Sequence, residues 1–333
     1  MKAGCYTALI TPFKGDAIDW GGLDRLIDFQ IQNGITGILA VGTTGESPVL
    51  TWEEHNEVTE RIARKAAGKC LCIAGTGSNN TSETLKGTQH AAQCGCQAVL
   101  LVDPYYNGPS SLEIRREYVA PVAKAFPGLD IIPYVIPGRT GTQLLPEDLA
   151  LLFKSYPNVN TVKEATADIQ NMRRTRACCG PDFTILSGDD GMTLSMMADP
   201  AVKAAGVISV ASNVAPRAIT GMVTLLNAGR QAEAQALAAK LEPLFNLVTV
   251  KTVEKTPYGE VACRARNPVA YKALMAILGM PAGGCKPPLG KLTRNGLTQV
   301  LETARSVQRS APELFQPVAD AFGVNIAQRL EDP

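Results

Sequence analysis

Histidine and tryptophan are scarce in this chain, with two of each in 333 residues, and aromatic residues make up only 5%. His55 and His90 are the only imidazoles, and none of the cysteines form a C-x-x-C pair, so a structural zinc site is not expected. Long runs of one charge sign are missing too. Lys plus Arg is 32 and Asp plus Glu is 31, a net charge of +1. That balance speaks against nucleic acid or an anionic membrane as partner. No apolar run approaches the length of a membrane span. The opening "MKAGCYTALITPFKGD" has a short apolar part without a small-residue cleavage pattern, so no signal peptide is read and a cytoplasmic protein is expected. Cysteine, by contrast, is plentiful. Nine is an odd number, and without a secretion signal it points to reduced thiols, most of them small buried apolar residues.

Short apolar runs recur along the chain: "TALIT" (7–11), "GILAV" (37–41), "CLCIAG" (70–75), "AVLLV" (98–102), "DIIPYV" (130–135), "NTVK" (160–163), "FTILSG" (183–188) and "AGVISV" (205–210). Segments with helical spacing lie between them. "WGGLDRLIDFQIQNG" sets Leu23, Leu26, Ile27 and Ile31 on one face. "TWEEHNEVTERIARKAAG" opens on Thr51 as an N-cap with acids in the first turn. "PEDLALLFKSY" opens on Pro146. Eight strands, each followed by a helix, mean parallel strands joined by helical crossovers. Nearly continuous apolar strands suit a sheet buried on both faces. The eight units span about 225 residues, the size of a (β/α)8 TIM barrel; a doubly wound open sheet is the alternative on pattern alone. From about residue 227 the chain reads as helices without strands. The expected division is a catalytic barrel over 1–226 and a C-terminal helical domain over 227–333.

In a barrel of this kind the chemistry sits at the C-terminal ends of the strands. Lys163 ends "NTVK", and an ammonium at the inner end of an apolar strand is either a solvated strand-end residue or an amine meant for chemistry. "GTTGES" (42–47) places two hydroxyl residues between glycines, a shape that leaves backbone N–H groups and hydroxyls open to a small anion, or forms an ordinary turn. Tyr105, Tyr106 and Tyr134 follow neighbouring strands; phenols can relay protons or simply pack. Arg139, in a loop rich in Gly and Pro, could hold a carboxylate bidentately or stand in solvent. Asp189 and Asp190 read as a turn or cap rather than metal ligands. Desolvation at a strand end lowers a lysine's proton affinity and makes the amine a nucleophile toward carbonyls. That imine route needs no metal, and no cofactor is called for.

"GTTGES", "PYYNGPS", "PGRTG" and "VKEAT" stand in the order and near the spacing of the dihydrodipicolinate synthase and N-acetylneuraminate lyase superfamily of pyruvate-dependent class I aldolases, which the chain resembles over roughly residues 3 to 312. "TALITPF", "IAGTGSN", "LSGDD" and "GVISV" extend the match. The arginine of "GRTG" is similar to that of the synthase branch and is missing from the sialic acid lyases.

The resemblance implies a Schiff base between pyruvate and Lys163, with Thr43 and Thr44 on the pyruvate carboxylate. It implies Tyr134 as general acid/base, in a proton relay with Thr43 and with Tyr106 lent by a neighbouring subunit. Arg139 would hold the carboxylate of L-aspartate-4-semialdehyde, and Gly188 and Ile208 would contact substrate or lysine through the backbone. The implied reaction is the first committed condensation toward diaminopimelate and lysine. A related lyase or dehydratase on a sugar acid or keto acid would share the imine but not need Arg139. A barrel without activity, kept for binding, would not need so complete a site.

Ser47, Trp52, His55, Asn79, Glu83 and Tyr105 match the pocket where family members bind inhibitory L-lysine, with Trp52 similar to the plant type. A homo-oligomer, dimer or tetramer, follows from the shared tyrosine. Three departures stand out. Val135 replaces a common asparagine. "ADPAVKAAGVISV" carries extra residues. The stretch 249–266 is longer than usual, an insertion expected to alter subunit packing rather than chemistry.

Overall fold

The computed structural model describes residues 1–331. Its strands close into one parallel barrel: β1 (Gly4–Ala8), β2 (Gly37–Ala40), β3 (Leu71–Gly75), β4 (Ala98–Val102), β5 (Asp130–Val135), β6 (Thr161–Glu164), β7 (Thr184–Ser187) and β8 (Gly206–Ser209). Each pairs with its sequence neighbour, and β8 closes on β1 with Tyr6 opposite Ile208. The closed barrel decides against the open sheet. Its seam needs a glycine, because a Cβ on Gly206 would stand 1.9 Å from the Gly4 carbonyl oxygen.

Strand alternation sorts side chains into two cores. Ile132 and Tyr134 of β5 join Tyr6, Leu39, Leu186 and Ile208 inside the barrel, while Ile131 and Val135 face the helical layer. Val135 therefore packs outward, so the departure from asparagine leaves the barrel interior untouched. The same alternation sends Val162 outward and Lys163 inward. The strand runs one residue beyond the lysine, so Lys163 is its penultimate residue and Glu164 its last.

The helices begin where the sequence supplies caps. Asp19 accepts from the Gly22 N–H at 2.9 Å to open Trp20–Gln32. Thr51 and Glu54 form a reciprocal capping box at the head of Trp52–Ala66. Pro146 opens Pro146–Ser155, and Asp168 caps Ile169–Cys179, which Gly180 closes at φ 81°. The long stretch before β8 is stapled by Arg176, which donates to the carbonyls of Val202, Lys203, Gly180 and Phe183.

After Asn227 the chain does not run as helices alone. Gln231–Phe245, Val269–Ile277 and Arg294–Ser310 are helical, but between the first two an antiparallel hairpin rises from β9 (Thr249–Thr256) and β10 (Gly259–Arg266). Val and Thr make up five of the eight residues of "TVKTVEKT", and Gly259 turns the chain at φ 115°. Only Val250 of the hairpin is buried. The hairpin is braced by Arg294–Ser310, through Gln299 to the Lys251 carbonyl and Asn295 to Glu254. The thiols also depart from expectation. Four of the nine are buried, four are half-buried and Cys178 is exposed. Among the described residues, no helix is long and apolar enough to cross a membrane.

Candidate active site

Lys163 and Tyr134 sit opposite each other in the register of β5 and β6. The Lys163 ammonium lies 4.0 Å from the Tyr134 ring centroid, and both side chains are about 95% buried. Burial is the main force on each. It lowers the Lys163 amine to about 7, partly opposed by Asp190 and helped by the Arg139 charge. It pushes the Tyr134 phenol up to about 12, with Arg139 pulling the other way. Gly188, at the end of β7, leaves room for the lysine stem: a Cβ there would meet Lys163 Cγ and Cε at 3.1 Å. Ile208 lies in the same inner core. Asp189 caps a turn by accepting from Gly191 N–H, and Asp190 is buried, accepting from the N–H groups of Val210 and Ala211. Asp189 thus serves the turn, as read from the sequence, whereas Asp190 ties the turn to the end of β8.

The "GTTGE" loop is held from the far end of the chain. Thr44 is buried and accepts a hydrogen bond from Asn267 Nδ2 at 2.9 Å. Glu46 takes a left-handed backbone at φ 61°, and both its carboxylate oxygens are engaged. Oε1 pairs with Lys272 Nζ at 2.7 Å, and Oε2 accepts from the Lys286 N–H at 2.8 Å. The Lys272 ammonium also donates to the carbonyls of Thr11 and Gly284. Sequence reading missed Asn267, Glu46 and Lys272. The signal was there for one of them: Lys272 interrupts an otherwise apolar helical run, "NPVAYKALMAIL".

Thr43 and Arg139 line two adjoining cavities. One, of about 660 Å³, lies between the "GTTGE" loop and the hairpin and takes in Arg264, Arg266 and Asn267. The other, of about 330 Å³, is lined by Ser47, Trp52, His55, Glu83 and Tyr105, five of the six residues matched to the lysine pocket. Asn79 stands behind them, its side-chain oxygen accepting from the Tyr105 N–H at 2.7 Å. The Trp52 and His55 rings meet at a 57° tilt with centroids 4.9 Å apart, His55 Nε2 lies 2.9 Å from the Gly75 carbonyl oxygen, and burial drops the imidazole to about 4. Neither cavity is lined by Lys163 or Tyr134, whose amine and ring pack on each other. Arg139 is half-buried, and its guanidinium reaches the Asn267 carbonyl at 3.5 Å.

Tyr106 is the one proposed catalytic residue that stays outside the site, 86% exposed. The hairpin arginines were also missed. They join the site from more than 120 residues beyond Arg139, and the stretch that bears them reads from sequence only as an over-long segment.

A model of the dihydrodipicolinate synthetase family matches residues 1–307. The 4-hydroxy-tetrahydrodipicolinate synthase of Methanococcus maripaludis strain S2 is 38% identical over 292 residues, 88% of this chain and 94% of its own. Among solved structures, the 4-hydroxy-tetrahydrodipicolinate synthase of Methylacidiphilum fumariolicum SolV superposes with a TM-score of 0.85. It is 34% identical, over 97% of this chain and all of that one. The DHDPS of Cyanidioschyzon merolae, solved with lysine bound, gives 0.82 at 33% identity, over 92% of this chain and 98% of its own. The match spans the barrel, the "GTTGE" loop and the strand bearing Lys163, and on it the chain belongs to the dihydrodipicolinate synthetase family.

Proposed function

We propose that the protein is a 4-hydroxy-tetrahydrodipicolinate synthase, condensing pyruvate with L-aspartate-4-semialdehyde. The carrying observation is the desolvated Lys163 amine in register with Tyr134. At neutral pH a large share of that amine is unprotonated and able to attack the keto carbon of pyruvate. The amine swings off the Tyr134 ring to meet it. Thr43 and Thr44 take the pyruvate carboxylate. Attack gives a carbinolamine, and loss of water gives the imine. A proton leaves the methyl carbon to give the enamine, whose carbon forms the new bond to the aldehyde carbon. The amino group of the second substrate then displaces Lys163, closing the ring and regenerating the free amine. Pyruvate and the aldehyde together lose one water in net balance.

Tyr134 moves the protons of these steps, with Thr43 and the Tyr106 of a second subunit completing the relay. A phenol at about 12 remains protonated at neutral pH, so it acts first as the donor. The exposure of Tyr106 supports a homo-oligomer, since the side chain is free to enter a neighbour's site. Arg139 takes the carboxylate of the aldehyde. The division into a catalytic barrel over 1–226 and a C-terminal unit over 227–333 belongs to this reading, as does a cytoplasmic setting. Mixing the enzyme with both substrates and following the cyclic product tests the proposal. No product, from protein that still traps pyruvate, would move it to a related lyase.

Arg139→Ala should raise KM for the aldehyde and lower kcat/KM by about two to three orders of magnitude, since a charge-assisted pair is lost. Pyruvate trapping should stay within about twofold of wild type, a split read by running both assays on one preparation.

The 330 Å³ cavity is proposed to bind L-lysine as a feedback inhibitor. Glu83 offers a carboxylate for an ammonium, Asn79 holds Tyr105 in place behind it, and the lysine-bound relative supports the reading. Because the cavity adjoins Thr43 and Arg139, an occupant there can alter the site directly. A lysine titration should depress turnover, and Glu83→Gln should weaken that inhibition at least about tenfold. A response flat into millimolar lysine would remove this part of the proposal.

A further inference from the structure

We propose that Arg264 and Arg266, on the last strand of the hairpin, form with Arg139 an anion-capturing subsite at the mouth of the active site. It takes small organic acids, the carboxylate-bearing aldehyde first among them, and delivers them to Arg139. The inference rests on the proposed function and extends it to how the second substrate is selected.

Residues two apart on a strand point to one face, so Arg264 and Arg266 lie together by construction. Both line the 660 Å³ cavity that Thr43 and Arg139 also line, and Lys291 adds a fourth cation to its wall. Among the described residues Glu46 is the one acid on that wall, and its two oxygens are already taken by Lys272 and the Lys286 N–H. The cationic cluster therefore has no internal counter-charge. Arg266 donates through both terminal nitrogens to the Gly138 carbonyl, at 3.2 and 3.3 Å, which ties the hairpin to the loop bearing Arg139. The neighbours' effect on Arg139 is visible: after burial, the Arg266 and Arg264 charges are what weaken its hold on its proton. Like charges gathered without a partner at the wall of a cavity repel one another until an anion enters, and a field of one sign raises the local concentration of anionic substrate. Such a field is screened by salt over about 10 Å at 0.1 M.

The test is the Arg264→Gln/Arg266→Gln double variant beside the wild type. At low salt, kcat/KM for the aldehyde should fall about tenfold, carried by KM, and the gap should shrink below about twofold near 0.5 M salt. The KM for pyruvate should rise far less than that for the aldehyde, and the yield of imine trapped on Lys163 at saturating pyruvate should not move. Succinate should inhibit the wild type competitively against the aldehyde and the variant far less. The single Arg264→Gln variant, at an exposed side chain, should show part of the effect without disturbing the Gly138 contact. Unchanged kcat/KM and an unchanged salt slope would overturn the subsite. So would a loss of kcat and thermal stability equal at all salt concentrations, which would make Arg266 a brace and nothing more. Should the wild type not turn over the aldehyde at all, the functional reading fails instead. The subsite is then judged by calorimetry of succinate on pyruvate-loaded enzyme: salt-sensitive binding weakened in the variant upholds it, and equal binding overturns it.

Discussion

Lys163→Met yields protein that no longer forms a borohydride-stable adduct with pyruvate, and its condensation rate falls about a thousandfold or more, because no other group can supply the imine. In the wild type, mass spectrometry of the reduced protein places the adduct on the peptide holding Lys163, and the trapping rate climbs with pH through a midpoint near the amine's value of about 7. An adduct that survives the substitution would put the nucleophile elsewhere. The same substitution should stabilise the fold. An ordinary lysine titrates at 10.5 and this one at about 7, so the native state holds its proton less tightly than the unfolded chain does. The resulting cost is on the order of 5 kcal/mol below pH 7, declines as pH rises from 7 to 10.5 and vanishes above that. Lys163→Met should therefore raise Tm by several degrees at neutral pH, with a gain that shrinks in alkali. A melting curve at pH 7 and another at pH 10 show whether it does.

Lys272→Met, in contrast, should destabilise the protein by about 3–5 kcal/mol, the usual result of leaving one buried charge without its partner. Glu46 is 1% exposed and Lys272 is 1% exposed, so water cannot take over from the missing ammonium. The Thr11 and Gly284 carbonyls lose their donor at the same stroke. Adding Glu46→Gln to Lys272→Met should recover much of the loss, since a neutral amide tolerates burial better than a lone carboxylate. Urea denaturation of the two variants measures the difference. A Lys272→Met protein as stable as wild type would overturn the pair's role in holding the loop. Because Glu46 follows Thr43 and Thr44, the single variant should also raise KM for pyruvate, and the double variant should bring it part of the way back.

The barrel could be read in advance because its strands are buried on both sides, which leaves eight apolar runs that solvation cannot blur. The hairpin shows the opposite case. "TVKTVEKT" is rich in β-branched residues, a strand signal, yet little of it is buried, and the apolar run ahead of it continues the helical pattern of Gln231–Phe245. Lys163 and Tyr134 were legible as candidates because strand ends converge in any closed barrel, whereas Gly188 and Ile208 were singled out only by the resemblance. Asn267 on Thr44, Lys272 on Glu46 and Arg266 beside Arg139 were not, because each contact spans more than 120 residues and depends on how the chain returns after leaving the barrel. Tyr106 was named from the sequence, but within one chain it stands exposed and apart from the other candidates.

The Glu46–Lys272 pair has a bearing on synthesis as well as stability. Its partners are 226 residues apart in the chain, and the Thr44 brace at Asn267 is 223 away from its partner. At about 5–20 residues per second, a ribosome makes Lys272 roughly 10–45 s after Glu46. All eight barrel strands exist well before then, while the carboxylate that locks the "GTTGE" loop still waits for its ammonium. A nascent chain can thus close its barrel, but the "GTTGE" loop gains its two braces only late in translation. An elongation pause ahead of residue 272 would hold the enzyme folded in outline and unready in function.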